Sequence, residues 1–261
     1  MPLLRQPVVA GLFYPADPVR LRELVQGLLR EAPAAGAPPK AIIAPHAGYV
    51  YSGAVAARGH ACLGLGRARI RRVVLLGPSH RVAFRGLAAS SATGFATPLG
   101  TVPVDAQGVE QALGLDCVRR FDPAHAQEHS LEVQLPFLQE ALDDFQLVPL
   151  VVGEADPAEV AAVLERMWGG PETAIVVSSD LSHYQDYGAA QRIDQATAAA
   201  IVALRPEAIG MEAACGALPV RGLLLAARGH GLGAWALDVR NSGDTAGDRD
   251  RVVGYGAFAF A

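Results

Sequence analysis

Four short runs of aliphatic and β-branched residues do most to limit what this chain can fold into. They are KAIIAP (40–45), RRVVLLGP (71–78), FQLVPLVVG (145–153) and TAIVVSSD (173–180). Each is continuously apolar rather than alternating, as expected of strands buried on both faces. Amphipathic stretches with helical signals separate them. DPVRLRELVQGLLREA offers Asp17 as a cap, Pro18 at the first helical position, and Leu21, Leu24 and Leu28 on one face. DPAEVAAVLERMW repeats the device, with Asp156, Pro157 and Glu159 in a capping pattern. EHSLEVQLPFLQEAL predicts a helix with Leu131, Leu135, Leu138 and Leu142 as its stripe and a kink at Pro136. YGAAQRIDQATAAAIVAL predicts an Ala-rich helix. The final AWALDVRNSGDTAGDRDRVVGYGAFAFA reads as two strands joined by a polar Gly/Asp connection. The alternation predicts an α/β fold, a single domain over 1–261 with a central mixed β-sheet flanked by helices.

Composition then narrows the function. The chain has 261 residues, 51% of them hydrophobic, enough for a sizeable core. Its net charge of −4 argues against nucleic acid as a partner, since phosphate binding needs a basic face. Cys62, Cys117 and Cys215 lie far apart with no CxxC, a reduced, cytoplasmic pattern. MPLLRQPVVAGLFYPAD is too short and too broken by proline for a signal peptide, and no apolar run reaches membrane-spanning length. HExxH, GxSxG, GxGxxG and Walker patterns are absent, which removes the commoner hydrolase, dinucleotide and phosphate readings.

What remains is a recurrent histidine. IIAPHAGYVYSG, VVLLGPSH and AIVVSSDLSHY place His46, His80 and His183 just past strand ends. Open α/β sheets bind ligands beyond the carboxyl ends of their strands, so neighbouring parallel strands would bring these rings to one rim. Gly48 and Gly77 allow tight turns or close approach there. Ser79, Ser178, Ser179 and Ser182 offer short donors, and Asp180 can orient an imidazole or act as a base. AHAQEHSLE is expected to open a helix with His125, Glu128 and His129, and Cys215 sits before Gly216 at a helix entry, where the helix dipole would favour a thiolate. His60 and His230, in Ala/Gly-rich helix ends, read as structural. Two histidines with a third anionic ligand make an open site for a first-row metal. A carboxylate as third ligand favours non-haem Fe(II); a thiolate favours copper(I), zinc or thiolate-bound iron.

GLFYPAD, APHAGYVYSG, LLGPSH, EHSLEVQLPFLQ, SSDLSHY, ACG and the late NSGD follow one another in an order that resembles the Memo family, whose bacterial and archaeal branch is called AmmeMemoRadiSam system protein B. The likeness runs from Gly11 to the C-terminus. It implies a fold like the LigB-type class III extradiol dioxygenases, where two histidines and a glutamate hold Fe(II) and another histidine is the acid/base. Matched motif by motif, His46, His80 and Cys215 take the three metal positions, with iron or copper expected and zinc as a third choice. Cys215 stands where the dioxygenases have glutamate. Asp180 and His183 take the catalytic positions. Tyr49, Ser79, Glu128, His129, Ser182 and Tyr184 are expected in the pocket. The resemblance also implies association with a radical-SAM protein and an AMMECR-type protein. The substrate would be a small molecule or peptide, and the alternative is a non-catalytic module binding a phosphorylated or carboxylated partner.

Overall fold

The computed structural model describes residues 3–261; Met1 and Pro2, the first positions of the stretch read against a signal peptide, lie outside the described residues. A nine-stranded sheet runs in the order His183–Gln185, Val252–Phe260, Ala41–Ala44, Thr173–Ser178, Arg72–Pro78, Gln146–Val152, Leu87–Ala89 and Val118–Arg120, and Ala234–Asn241 pairs with Val252–Phe260. The four apolar runs are its parallel centre. Val252–Phe260 joins antiparallel on one side and Leu87–Ala89 on the other, so the sheet is mixed, as expected.

Burial explains why the runs are apolar throughout. Ile43, Val74, Leu76, Val148 and Val177 face one core with Val160, Val163 and Leu223 from the helices Pro157–Arg166 and Ala217–Gly229. Their alternates Ile42, Leu75, Leu147 and Val176 face the other with Leu63, Leu135 and Leu138. Since successive side chains point to opposite faces, only an unbroken apolar run satisfies a three-layer α/β/α sandwich. Asp17 and Asp156 cap their helices as expected, the second with Glu159 completing a capping box. No helix of the described residues is long and apolar enough to cross a membrane.

One segment departs from expectation. Residues 128–142 are not a single kinked helix. A short helix ends at Ala126, a 3₁₀ turn covers Glu132–Gln134, and Pro136 lies in the first turn of the helix Leu135–Ala141. At that position proline lacks only an N–H that would have been unpaired anyway. Glu128 and His129 are thereby left on irregular backbone under the sheet's rim.

Two fully enclosed histidines take no part in the site. The His60 Nδ1 donates to the Ala56 carbonyl (2.9 Å) and its ring stacks on Phe137, while His125 Nε2 donates to the Ala88 carbonyl (2.9 Å). The second nitrogen of each has no partner among the described residues. Burial pulls both down to about 4. The unfolded imidazoles, near 6.5, therefore bind protons that the folded ones refuse, and their contribution to stability is lost as pH falls from about 6.5 towards 4. Each is expected to cost up to about 3 kcal/mol across that window. Urea midpoints at pH 7 and pH 4.5 check this, and His60→Leu should flatten the dependence.

Candidate metal centre

The parallel strands deliver the histidines where the sequence placed them. Ala44 and Pro78 end adjacent elements on either side of Thr173–Ser178, and the chain turns out of the sheet at His46 and His80. The His46 and His80 ring centroids are 5.2 Å apart, and His129 stands 5.5 Å from His46 and stacks on His80 at 4.7 Å. Cys215, just ahead of the helix Ala217–Gly229, brings Sγ to 3.3 Å from His46 Nε2. Donor atoms of His46, His80 and Cys215 all lie within 4.8 Å of one another.

The hydrogen bonds behind the rings decide which nitrogens are free. Ser178 Oγ has one proton, donated to the Ser130 carbonyl at 2.6 Å; the same oxygen accepts from Gln134 Nε2 at 2.8 Å. His46 Nδ1, 2.8 Å from that oxygen, must then carry a proton and donate. His80 Nδ1 donates to Glu128 Oε1 at 2.9 Å, and His183 Nδ1 to the Leu181 carbonyl at 2.8 Å. All three rings are tied through Nδ1, which leaves each Nε2 with its lone pair. A carboxylate or hydroxyl holding the far nitrogen is the usual support of a metal-binding imidazole.

Glu128 is not a helix cap. Its carboxylate accepts from His80 N (2.6 Å), His80 Nδ1, His129 N (2.9 Å) and Ser130 N (2.8 Å). Burial works to raise it, but these bonds and the His80 charge prevail and hold it at about 2. A second donor group, His80 with Glu128 and His129, is also compact. It suits a cation less well, because four N–H groups already occupy the Glu128 lone pairs and His80 Nδ1 is protonated.

Electrostatics favour neutral imidazoles at His46 and His129. Burial, then the His80 and His129 charges, hold His46 well below the ordinary imidazole range, and burial pulls His129 down to about 4 against the opposing Glu128. Burial and the nearby Asp180 charge push the Cys215 thiol well up. The thiolate expected at this helix entry is therefore not favoured in the metal-free protein: desolvation exceeds the helix dipole. A bound cation reverses the balance, since a coordinating thiol is deprotonated outright.

Asp180 does not orient His183. Its Oδ1 accepts from His46 N at 2.7 Å, and no hydrogen bond joins it to His183 among the described residues. Burial lifts it to about 6, with the His46 and Ala47 amides and the His183 charge pulling the other way. Asp180 therefore fixes the loop that presents His46.

A pocket of about 650 Å³ opens over the rings, walled by Phe13, Tyr51, Tyr255, Asp180, His129 and His183, with Leu12, Val50, Arg81, Tyr184 and Arg251 also lining it. Tyr184 is there as expected, with a left-handed φ of 59° that an aromatic residue rarely adopts. Tyr49 is not. Its hydroxyl donates to the Val133 carbonyl (2.7 Å) and its ring packs on Phe137. Ser79 bonds the Val82 carbonyl (2.6 Å) outside this pocket. Ser182 is buried, its amide donating to Asp194 (3.0 Å). The close approach made possible by Gly77 is to Ser130, 2.6 Å from a would-be Cβ, and not to a ligand.

The profile of a family described as Memo-like protein matches residues 5–259. A MEMO1 family protein of Aquifex aeolicus is 37% identical, covering 97% of each chain. One from Methanopyrus kandleri is 35% identical over 98% of each. The crystal structure of uncharacterized protein JW3007 from Escherichia coli K12 superposes with a TM-score of 0.53 at 15% identity, covering 82% of this chain and 98% of that one, a likeness of fold. The mixed sheet and its helices are consistent with the LigB-like architecture that the motifs implied. With profile, full-length relatives and motif order in agreement, this chain belongs to the Memo family.

Proposed function

We propose that the protein binds one transition metal through His46 Nε2, His80 Nε2 and Cys215 Sγ and acts as a redox, oxygenase-like enzyme of a reducing, cytoplasmic compartment. The observation carrying this reading is the set of rings tied back through Nδ1, one of them with its free nitrogen 3.3 Å from a thiol. The mixed nitrogen and sulfur set suits iron or copper, with zinc third. When bound, the metal supplies Lewis acidity and, for iron or copper, one-electron chemistry. Around it, Arg81 and Arg251 attract an anionic group, while Phe13, Tyr51 and Tyr255 wall in the apolar body of a substrate. His183 Nε2 gives or takes a proton.

Anaerobic reconstitution with Fe(II) or Cu(I), followed by metal analysis and EPR, tests the assignment. One equivalent is expected in the parent protein, and its loss in both His46→Ala and His80→Ala. Unchanged metal content in the two variants contradicts it.

The arginines also favour a second reading, a module binding a phosphorylated or carboxylated peptide. Exposed Leu12, Val50 and Tyr184 on the same rim would meet its apolar residues. Binding that survives chelation supports that reading. Pull-down with a radical-SAM protein and an AMMECR-type protein tests the proposed partners under either one.

A further inference from the structure

Cys215 belongs to the donor cluster but not to the wall of the histidine pocket. It lines a second cavity instead, about 300 Å³, together with Pro78, Val82, Phe84, Met211, Leu218 and one charged side chain, the exposed Glu154. The two cavities differ in chemistry. The histidine pocket carries two arginines and a ring of polar side chains, whereas no cation lines the second among the described residues. Ser79, which also lines it, has its hydroxyl committed to the Val82 carbonyl, so it offers no spare donor. Cys215 is only partly buried, and the surface it retains contributes to this apolar wall. The Met211 side of the cavity is open, that residue being 56% exposed.

We propose that this cleft is a separate way into the donor cluster, selective for small uncharged apolar molecules, the class that includes dioxygen. An organic substrate seated against His46, His80 and Arg81 fills the polar mouth. A small neutral reactant then needs another approach, and a cavity lined mainly by aliphatic and aromatic groups, with the Glu154 carboxylate beside them, favours it over water and anions. The dioxygen role rests on the redox reading above. The selectivity of the cleft does not.

The test therefore uses metal-free protein. Cys215 is labelled with methyl methanethiosulfonate or its anionic 2-sulfonatoethyl analogue; the thiolate attacks the reagent's sulfenyl sulfur, forms a mixed disulfide and expels methanesulfinate. Rates at the Cys215 peptide are read by mass spectrometry and divided by those of the unfolded chain, which removes reagent differences. The neutral reagent is expected to react faster by about tenfold or more, because access governs thiol reactivity. Entry past Arg81 and Arg251 would favour the anion. Leu218→Trp should slow the neutral reagent by about tenfold, and Val50→Trp, at the other mouth, should leave it within about twofold. Met211→Trp is a second plug at an exposed position, where packing is not at stake. Xenon density beside Cys215 in a pressurised crystal, lost in the plugged variants, is the independent expected result. Faster labelling by the anion, protection by Val50→Trp alone, or no xenon in the cleft overturns the proposal. Failure of the metal assay with this labelling pattern intact overturns the redox reading alone.

Discussion

Glu132→Ala is expected to lose about 3–5 kcal/mol of stability, a large part of the roughly 5–15 that holds a typical domain folded. Glu132 is fully enclosed and accepts from Val8 N (2.8 Å), Val9 N (3.0 Å), the Tyr14 hydroxyl (2.5 Å) and the Arg5 guanidinium. Removing it leaves a buried positive charge and three further donors without their acceptor. Burial and the Glu132 charge push the Tyr14 hydroxyl well up in the parent, so it stays a donor to the carboxylate. Arg5 also holds the His125 carbonyl (3.2 Å) and the Glu128 carbonyl, so the defect reaches the loop that presents Glu128 to His80. Urea unfolding gives the loss. Arg5→Met combined with Glu132→Leu should recover part of it, because the unpaired charge is gone. Equal stability of the parent and the Glu132→Ala protein would contradict this account.

His183→Ala is expected to leave the metal in place and to lower dioxygen consumption by the loaded protein about 10²–10⁴-fold, the usual share of a general acid or base. The ring lines the pocket with Nδ1 committed to the Leu181 carbonyl, so Nε2 is the proton-carrying atom on offer. It lies close enough to His46 and Asp180 for their charges to interact. His183→Gln, which keeps a hydrogen-bonding group but cannot take up a proton, should be as slow as alanine. Metal loss in His183→Ala would make the ring a ligand. Retained turnover would make it a wall residue.

Much of this arrangement is legible in the sequence because simple periodicities control it. The unbroken apolar runs reveal strands covered on both faces, and a histidine just beyond such a run falls on the ligand-binding rim. Tyr49 and Tyr51 show where that reasoning stops. Two residues apart at a helix start, they project about 200° apart, so only one can face the pocket, and the motif does not say which. Tyr51 does. Glu128 resembles a helix start, yet the helix ends before it and the carboxylate is claimed by His80, a contact spanning 48 residues. Tyr255 and Arg251 could have been weighed from the period-two pattern around Val253, since alternate residues of a strand share a face. The strands Leu87–Ala89, Gly94–Thr97, Gly100–Pro103 and Val118–Arg120 have three or four residues each, too few for any period to register. The Arg5–Glu132 pair joins residues 127 apart, and nothing local announces it.

The thiol is the ligand that distinguishes this metal centre, since His46 and His80 alone would also suit a carboxylate-completed site. X-ray absorption at the metal edge of the iron- or copper-loaded protein measures this. One sulfur and at least two imidazole nitrogens are predicted in the parent, with the sulfur lost in Cys215→Ala and the nitrogens reduced in His80→Ala. A shell of nitrogen and oxygen alone, unchanged by Cys215→Ala, would contradict the assignment.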